Sequence, residues 1–132
     1  MSQENVTAMN AAIEAFNRRD GAGFGAVMAR DAEIVPVRAA LEGTTFRGPG
    51  AAARYCAAAD ESWQNLVWEL EDVRDGHGWV LALGRIQGQG RGSGAAIDSK
   101  GGWLARFDDG LITSFQTFAD RTAALEAVGL SE

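Results

Sequence analysis

The side chains able to do chemistry in this 132-residue chain are few and scattered. His77 is its only imidazole and Cys56 its only thiol. A lone histidine invites reading as a general base, because its charge changes near neutral pH. Its neighbours Gly76 and Gly78 stand between two alternating runs, a setting that reads as an exposed hairpin tip. Cys56 lies in an alanine-rich segment with no His or Lys at a motif spacing to activate it, and reads as a small buried apolar thiol. One Cys and one His make neither an internal disulfide nor a structural zinc site, so no metal is expected. The run GQGRGSG over 88–94 has the glycines of a phosphate loop. It lacks the Lys-Ser/Thr that follows such a loop and sits in or at the end of a strand, so no cofactor is implied.

The remaining candidates each have a plainer reading beside the chemical one. Asp31, Glu33, Tyr55 and Arg85 are groups that an enzyme could recruit, while Glu33 and Arg38 flank a short strand as an ordinary surface pair would. Asp108 and Asp109 belong to a turn, and Asp120 reads as a helix cap. Arg85, Gln87, Gln89 and Arg91 share one strand face, which is either the polar mouth of a pocket or a hydrated outer surface. The four tryptophans (Trp63, Trp68, Trp79 and Trp103) either wall a pocket for an apolar ligand or fill core and subunit surface. Asn10 and Asn17 read as helix-flank positions.

These residues must be positioned by alternating helices and strands. Val6, Met9, Ile13 and Phe16 recur at helical spacing and predict a helix over 2–18, capped by Ser2. Asp20-Gly21 breaks it, and a short helix over 22–29 follows. AEIVPV is then a strand whose Pro36 implies an edge or a bend, and LEGTTFR over 41–47 is its return. Gly48-Pro49 opens a helix that ends near Trp63, with the proline at its first helical position. Strands follow over 65–74 and from Trp79 onward, with glycines at 84, 88, 90, 92 and 94 fitting a bent strand. Trp103, Ala105 and Phe107 then alternate against Leu104 and Arg106. Past the turn Asp108-Asp109-Gly110, Leu111, Thr113, Phe115 and Thr117 alternate against Ile112, Ser114, Gln116 and Phe118. A last helix over 121–128 stops at Gly129. This order is α+β, and it predicts a cone: a strongly bent, mixed or antiparallel sheet wrapped around the N-terminal helix.

Composition sets outer bounds. At this length the chain is expected to be one domain, residues 1–132, burying roughly two-thirds of its unfolded surface. A net charge of −6 without a basic stripe argues against nucleic acid as a partner. No apolar run approaches the ~20 residues of a membrane span, and MSQENV has no secretory pattern, so a cytoplasmic location away from membranes is the expectation.

Four stretches carry a resemblance: AMNAAIEAFNRRDGAGFGAVMARDAEI, TFRGPGAAARY, LGRIQGQGRGSG and RFDDGLITSFQTFADRTAALEAVGL. Together they resemble the nuclear transport factor 2-like superfamily, and within it the SnoaL-like polyketide cyclase branch. The resemblance spans nearly the whole chain and implies the cystatin-like cone. It does not fix an activity, because isomerases, hydrolases, cyclases, transport adaptors and binding proteins share the fold. By resemblance to the steroid isomerases, the oxyanion tyrosine falls on Ile13, the oxyanion aspartate on Trp103, and the base on Val35 or Pro36. The acid of the epoxide hydrolases and cyclases falls on Thr117, and an Arg-x-Asp pair becomes Arg85-Ile86-Gln87. None of these replacements is a general acid or base at neutral pH.

The expectation is therefore a pocket protein that takes a small apolar or aromatic molecule without the family's catalytic carboxylates. Ile13, Met28, Val35, Tyr55, Cys56, Trp103, Phe115 and Thr117 are its candidate lining. A homodimer through the outer sheet face goes with it. Two rivals stand beside it: an isomerase, cyclase or hydrolase acting on a small hydrophobic substrate with non-standard groups, and a non-catalytic protein-interaction domain.

Overall fold

A computed structural model describes residues 3–36 and 45–130. Along the chain run α1 (Gln3–Asn17), α2 (Gly21–Ala26), β1 (Met28–Val35), β2 (Phe46–Arg47) and α3 (Ala51–Ser62). They are followed by β3 (Trp63–Gly76), β4 (Trp79–Gly90), β5 (Ala96–Asp108), β6 (Leu111–Phe118) and α4 (Arg121–Glu126). The strands form one curved sheet in the order β2-β1-β6-β5-β4-β3. β1 and β6 run parallel and every other neighbouring pair is antiparallel. The architecture is α+β, with α1, α2 and α3 on the inner face of the sheet and α4 on the outer face.

Burial explains both layers. α1 turns Met9, Ala12, Ile13, Ala15 and Phe16 inward at the spacing its sequence shows. They meet Trp68, Val80, Ala82, Ile86, Trp103, Ala105 and Phe115 from alternate positions of the sheet. The intervening positions Leu81, Leu83 and Leu104 point outward, where Ala124 and Leu125 of α4 cover them. Asp120 caps α4 by accepting the Thr122 N–H at 3.0 Å.

The sheet bends at bulges. The β3/β4 register shifts between Gln64 and Val67 and again between Leu70 and Asp72. Beside the second shift Gly84 faces Leu70, and a Cβ there would collide with the Glu69 carbonyl oxygen. Asp109 and Gly110, at φ 54 and 78, make the tight turn that joins β5 to β6.

Several boundaries differ from the sequence reading, for local reasons. The second helix stops at Ala26, since the glycine-rich GAGFGA holds a helix weakly and Met28 already pairs with Ile112. α3 starts at Ala51, because Gly50 takes the left-handed conformation at φ 82 and leaves Pro49 in the preceding turn. β3 is longer than expected at both ends. β4 ends at Gly90, which puts Gly92 and Gly94 in the turn before β5 rather than in a strand. The strict alternation expected in β6 fails at one point. Arg106 pairs with Ser114 but Phe107 with Ile112, so a bulge at Thr113 turns Ile112 into the inner core beside Phe115. Ser2, Arg38 and residues 41–44 of the expected return strand lie outside the described residues.

Candidate functional site

Sequence alternation builds the inner wall. In β3, Leu66 and Trp68 are buried while Val67 and Glu69 are exposed. In β4, Ile86 is buried between Arg85 and Gln87. The inward members of these pairs, with Ile97 of β5 and Thr117 of β6, form one side of an open-mouthed cavity of about 300 Å³. α3 supplies the opposite side through Tyr55, Ala58, Ala59 and Ser62, whose small alanines leave the space free. Phe46, Trp63 and Pro36 complete it. No described lining residue carries a carboxylate, an imidazole, an ammonium or a guanidinium.

Its aromatic side is rigidly packed. Trp68 stacks on Phe16, with ring centroids 3.7 Å apart and planes 10° from parallel. Behind it lie Trp103 at 5.2 Å and Phe115 at 5.9 Å. Two hydroxyls face each other in this apolar setting: Tyr55 Oη lies 3.5 Å from Thr117 Oγ1. That is long for a bond between two hydroxyls, which prefer roughly 2.5–3.0 Å. Both side chains are almost fully buried. Burial pushes the Tyr55 phenol up to about 12, against an opposing pull from the Thr117 hydroxyl. The phenol therefore stays protonated near neutral pH and can donate. Burial likewise pushes the Cys56 thiol up to about 11, which leaves it an unreactive apolar group. On the same inner face, Ser99 Oγ and Trp103 Nε1 are buried without a hydrogen-bond partner among the described residues.

Of the eight lining candidates, the structure brings Tyr55 and Thr117 together in the cavity. Ile13, Cys56, Trp103 and Phe115 belong to the same core but do not line the cavity. Met28 lines a different hollow between α2, β1 and the start of α3. Val35 points to the outer face: it pairs with Gln116, which pairs with the outward Leu104. The open choice for Arg85, Gln87 and Gln89 is decided by Ile86, whose inward side chain puts its neighbours outside. Arg85 there holds Asp98 at 2.6 Å. Glu33 is also outward and pairs with Arg47 at 2.8 Å, Asp31 is exposed, and His77 is exposed at its turn. Of the four tryptophans weighed as pocket wall or core, Trp63 and Trp68 line the cavity, whereas Leu66, Ile86 and Ile97 were not among the candidates. Their signal was present as inward positions of β3, β4 and β5, but only the pairing of those strands shows which face meets α3.

A model described as the SnoaL-like domain matches residues 9–115. No curated protein matches the chain in sequence. Among solved structures, an NTF2-like protein of unknown function from Burkholderia pseudomallei is 20% identical with a TM-score of 0.78, over 99% of this chain and 98% of that one. A hypothetical protein with a ketosteroid isomerase-like fold from Catenulispora acidiphila, in complex with trimethylamine, is 21% identical with a TM-score of 0.74, over 98% and 95%. TerC, co-crystallised with polyporic acid, is 19% identical with a TM-score of 0.76, over 95% and 97%.

Proposed function

Because this chain belongs to the SnoaL-like domain family, and its inner cavity is lined without a charged side chain among the described residues, we propose that it binds a small neutral aromatic molecule carrying one oxygen. The single observation that carries this reading is the pairing of an aromatic and aliphatic wall with one buried, imperfectly bonded hydroxyl pair, Tyr55 and Thr117. A ligand oxygen reaching that pair receives the Tyr55 hydrogen bond that Thr117 meets only at 3.5 Å. A cavity of ~150 Å³ accommodates benzene, so about twice that volume suits two fused rings. By the resemblance, the family's catalytic positions fall on Ile13, Val35 or Pro36, Trp103 and Thr117, of which only Pro36 and Thr117 line the cavity, and this supports a pocket that acts by binding rather than by proton transfer through those groups. An amine such as the trimethylamine held by one structural relative is charged at neutral pH and finds no compensating carboxylate in the described lining.

The test is calorimetric titration with 1-tetralone, a neutral two-ring ketone, beside tetralin, the same rings without the oxygen. At roughly 0.5 kcal/mol per heavy atom, a ligand of this size binds with a Kd on the order of 100 micromolar. Tetralone is expected to bind more tightly than tetralin. Absence of heat for both ligands up to their solubility limits overturns the reading.

A further inference from the structure

The outward edge of β3 has no neighbouring strand among the described residues, yet two of its three cavity-wall residues, Leu66 and Trp68, are hydrogen-bonded there. Trp68 donates its backbone N–H to Asn17 Oδ1 at 2.9 Å and its carbonyl accepts from Asn17 Nδ2 at 2.9 Å. One side-chain amide thus takes the place that a neighbouring strand would fill. Two residues earlier, the Leu66 carbonyl accepts from an Arg19 terminal nitrogen at 2.8 Å. The other terminal nitrogen of the same guanidinium donates to the Phe16 carbonyl at 2.7 Å. Its central carbon lies 4.7 Å over the Phe16 ring, which is itself stacked on Trp68. Arg19 does this from a left-handed backbone, φ 57, just past the end of α1. Glycine is the usual residue there, and a side chain at that φ is retained at a cost in strain.

We infer that Asn17 and Arg19 are positioning residues that set where Leu66 and Trp68 stand, and so fix the width of the ligand cavity and the ring systems it accepts. The inference rests on the binding reading given above. The bulge between Gln64 and Val67, with Asn65 at φ 56, loosens β3 from β4 next to Leu66. The α1 end supplies the hold from the other side. Released from Asn17, the Trp68 backbone has an unpaired N–H and carbonyl on a free edge, and β3 can lean away from α3.

The test compares 1-tetralone with the larger three-ring ketone 9-fluorenone, in the parent protein and in Asn17→Ala, Asn17→Asp, Arg19→Gly and Arg19→Lys, by calorimetry well below the unfolding temperature. The parent is expected to favour tetralone. In Asn17→Ala and Arg19→Gly the ratio of the two dissociation constants should move at least fivefold toward fluorenone, with a changed near-ultraviolet circular dichroism from the Phe16–Trp68 stack. Asn17→Asp and Arg19→Lys keep part of the hold and should fall between. A role in stability alone lowers the melting temperature and leaves the ratio unmoved. Folded variants with the parent's ratio overturn this inference and leave the binding reading standing, while a parent protein that binds neither ketone overturns both. If Asn17→Ala does not fold, Asn17→Asp and Arg19→Lys decide the matter by the same ratio.

Discussion

Replacing Tyr55 by Phe isolates the hydroxyl pair from everything else in the cavity. The ring of Tyr55 packs against Phe16 at 5.4 Å, Phe24 at 6.0 Å and Phe46 at 5.5 Å, and these contacts survive in Tyr55→Phe. What is lost is one hydroxyl whose partner stands 3.5 Å away. A well-formed hydrogen bond contributes about 0.5–1.5 kcal/mol, and one this long contributes at the bottom of that range. Thr117 is already poorly satisfied at 3.5 Å, so losing that partner adds only a small part of the ~1–3 kcal/mol that orphaning a well-bonded buried hydroxyl costs. The unliganded protein should therefore lose no more than about 1 kcal/mol, a shift of roughly 2–6 °C in Tm for a chain of this length. The liganded protein should lose more when the ligand has an oxygen to be recognised. Tetralone binding should weaken about three- to tenfold, the equivalent of ~0.7–1.4 kcal/mol, and tetralin binding should not change. Calorimetry of both ligands against both proteins reads this directly. Equal weakening of the two ligands would place the effect in cavity shape, and an unchanged tetralone affinity would remove Tyr55 from ligand recognition.

The same burial makes stability fall in alkali. Cys56 is raised to about 11 and Tyr55 to about 12, from ordinary values of 9.0 and 10.0. The folded chain therefore holds protons that the unfolded chain has released. Stability should be flat in these two groups below pH 9, fall above it, and fall more steeply above pH 10, by up to about 1.4 kcal/mol per pH unit for each group. Denaturant unfolding across that range checks it, and Tyr55→Phe should remove the later, steeper part. Ala59→Leu adds three carbons where α3 lines the cavity and should abolish tetralone binding while leaving Tm unchanged or higher. A variant that still binds would move the ligand elsewhere. Gly84→Ala forces a Cβ onto the Glu69 carbonyl and should destabilise by about 1–3 kcal/mol or more in a urea titration.

Much of this architecture was legible because burial follows simple periods. The α1 stripe, the Asp109-Gly110 turn, the Asp120 cap and the order of elements all read directly from residue spacing. The lining was less legible, for a geometric reason. Alternation says that Leu66 and Trp68 share a face, but it takes the pairing of Trp68 with Ile86 to place that face opposite α3. The bulge at Thr113 hid Ile112 in the same way, since one extra residue reverses the parity on which the reading depends. Asn17 was the hardest to foresee. A half-buried amide at a helix flank has no sequence signal for the strand edge it closes, because its partner Trp68 lies 51 residues away.

The distribution of charge bears on the chemistry available to the cavity. Arg85 meets Asp98 and Glu33 meets Arg47 on the outer face of the sheet, in water. The inner face of β5 instead holds Trp103, fully buried against Trp68 and with no partner for its indole N–H among the described residues. An ionised carboxylate placed at Trp103 would have to shed its hydration among Phe16, Trp68 and Phe115, and such surroundings favour the neutral acid. A side chain that did carry charge inside would thus be held neutral unless a counter-charge came with it, and the described lining offers none. Hydrogen bonding by neutral hydroxyls and contact with flat rings are what remain, which is why the discriminating experiments turn on a single oxygen and on the width between Trp68 and α3.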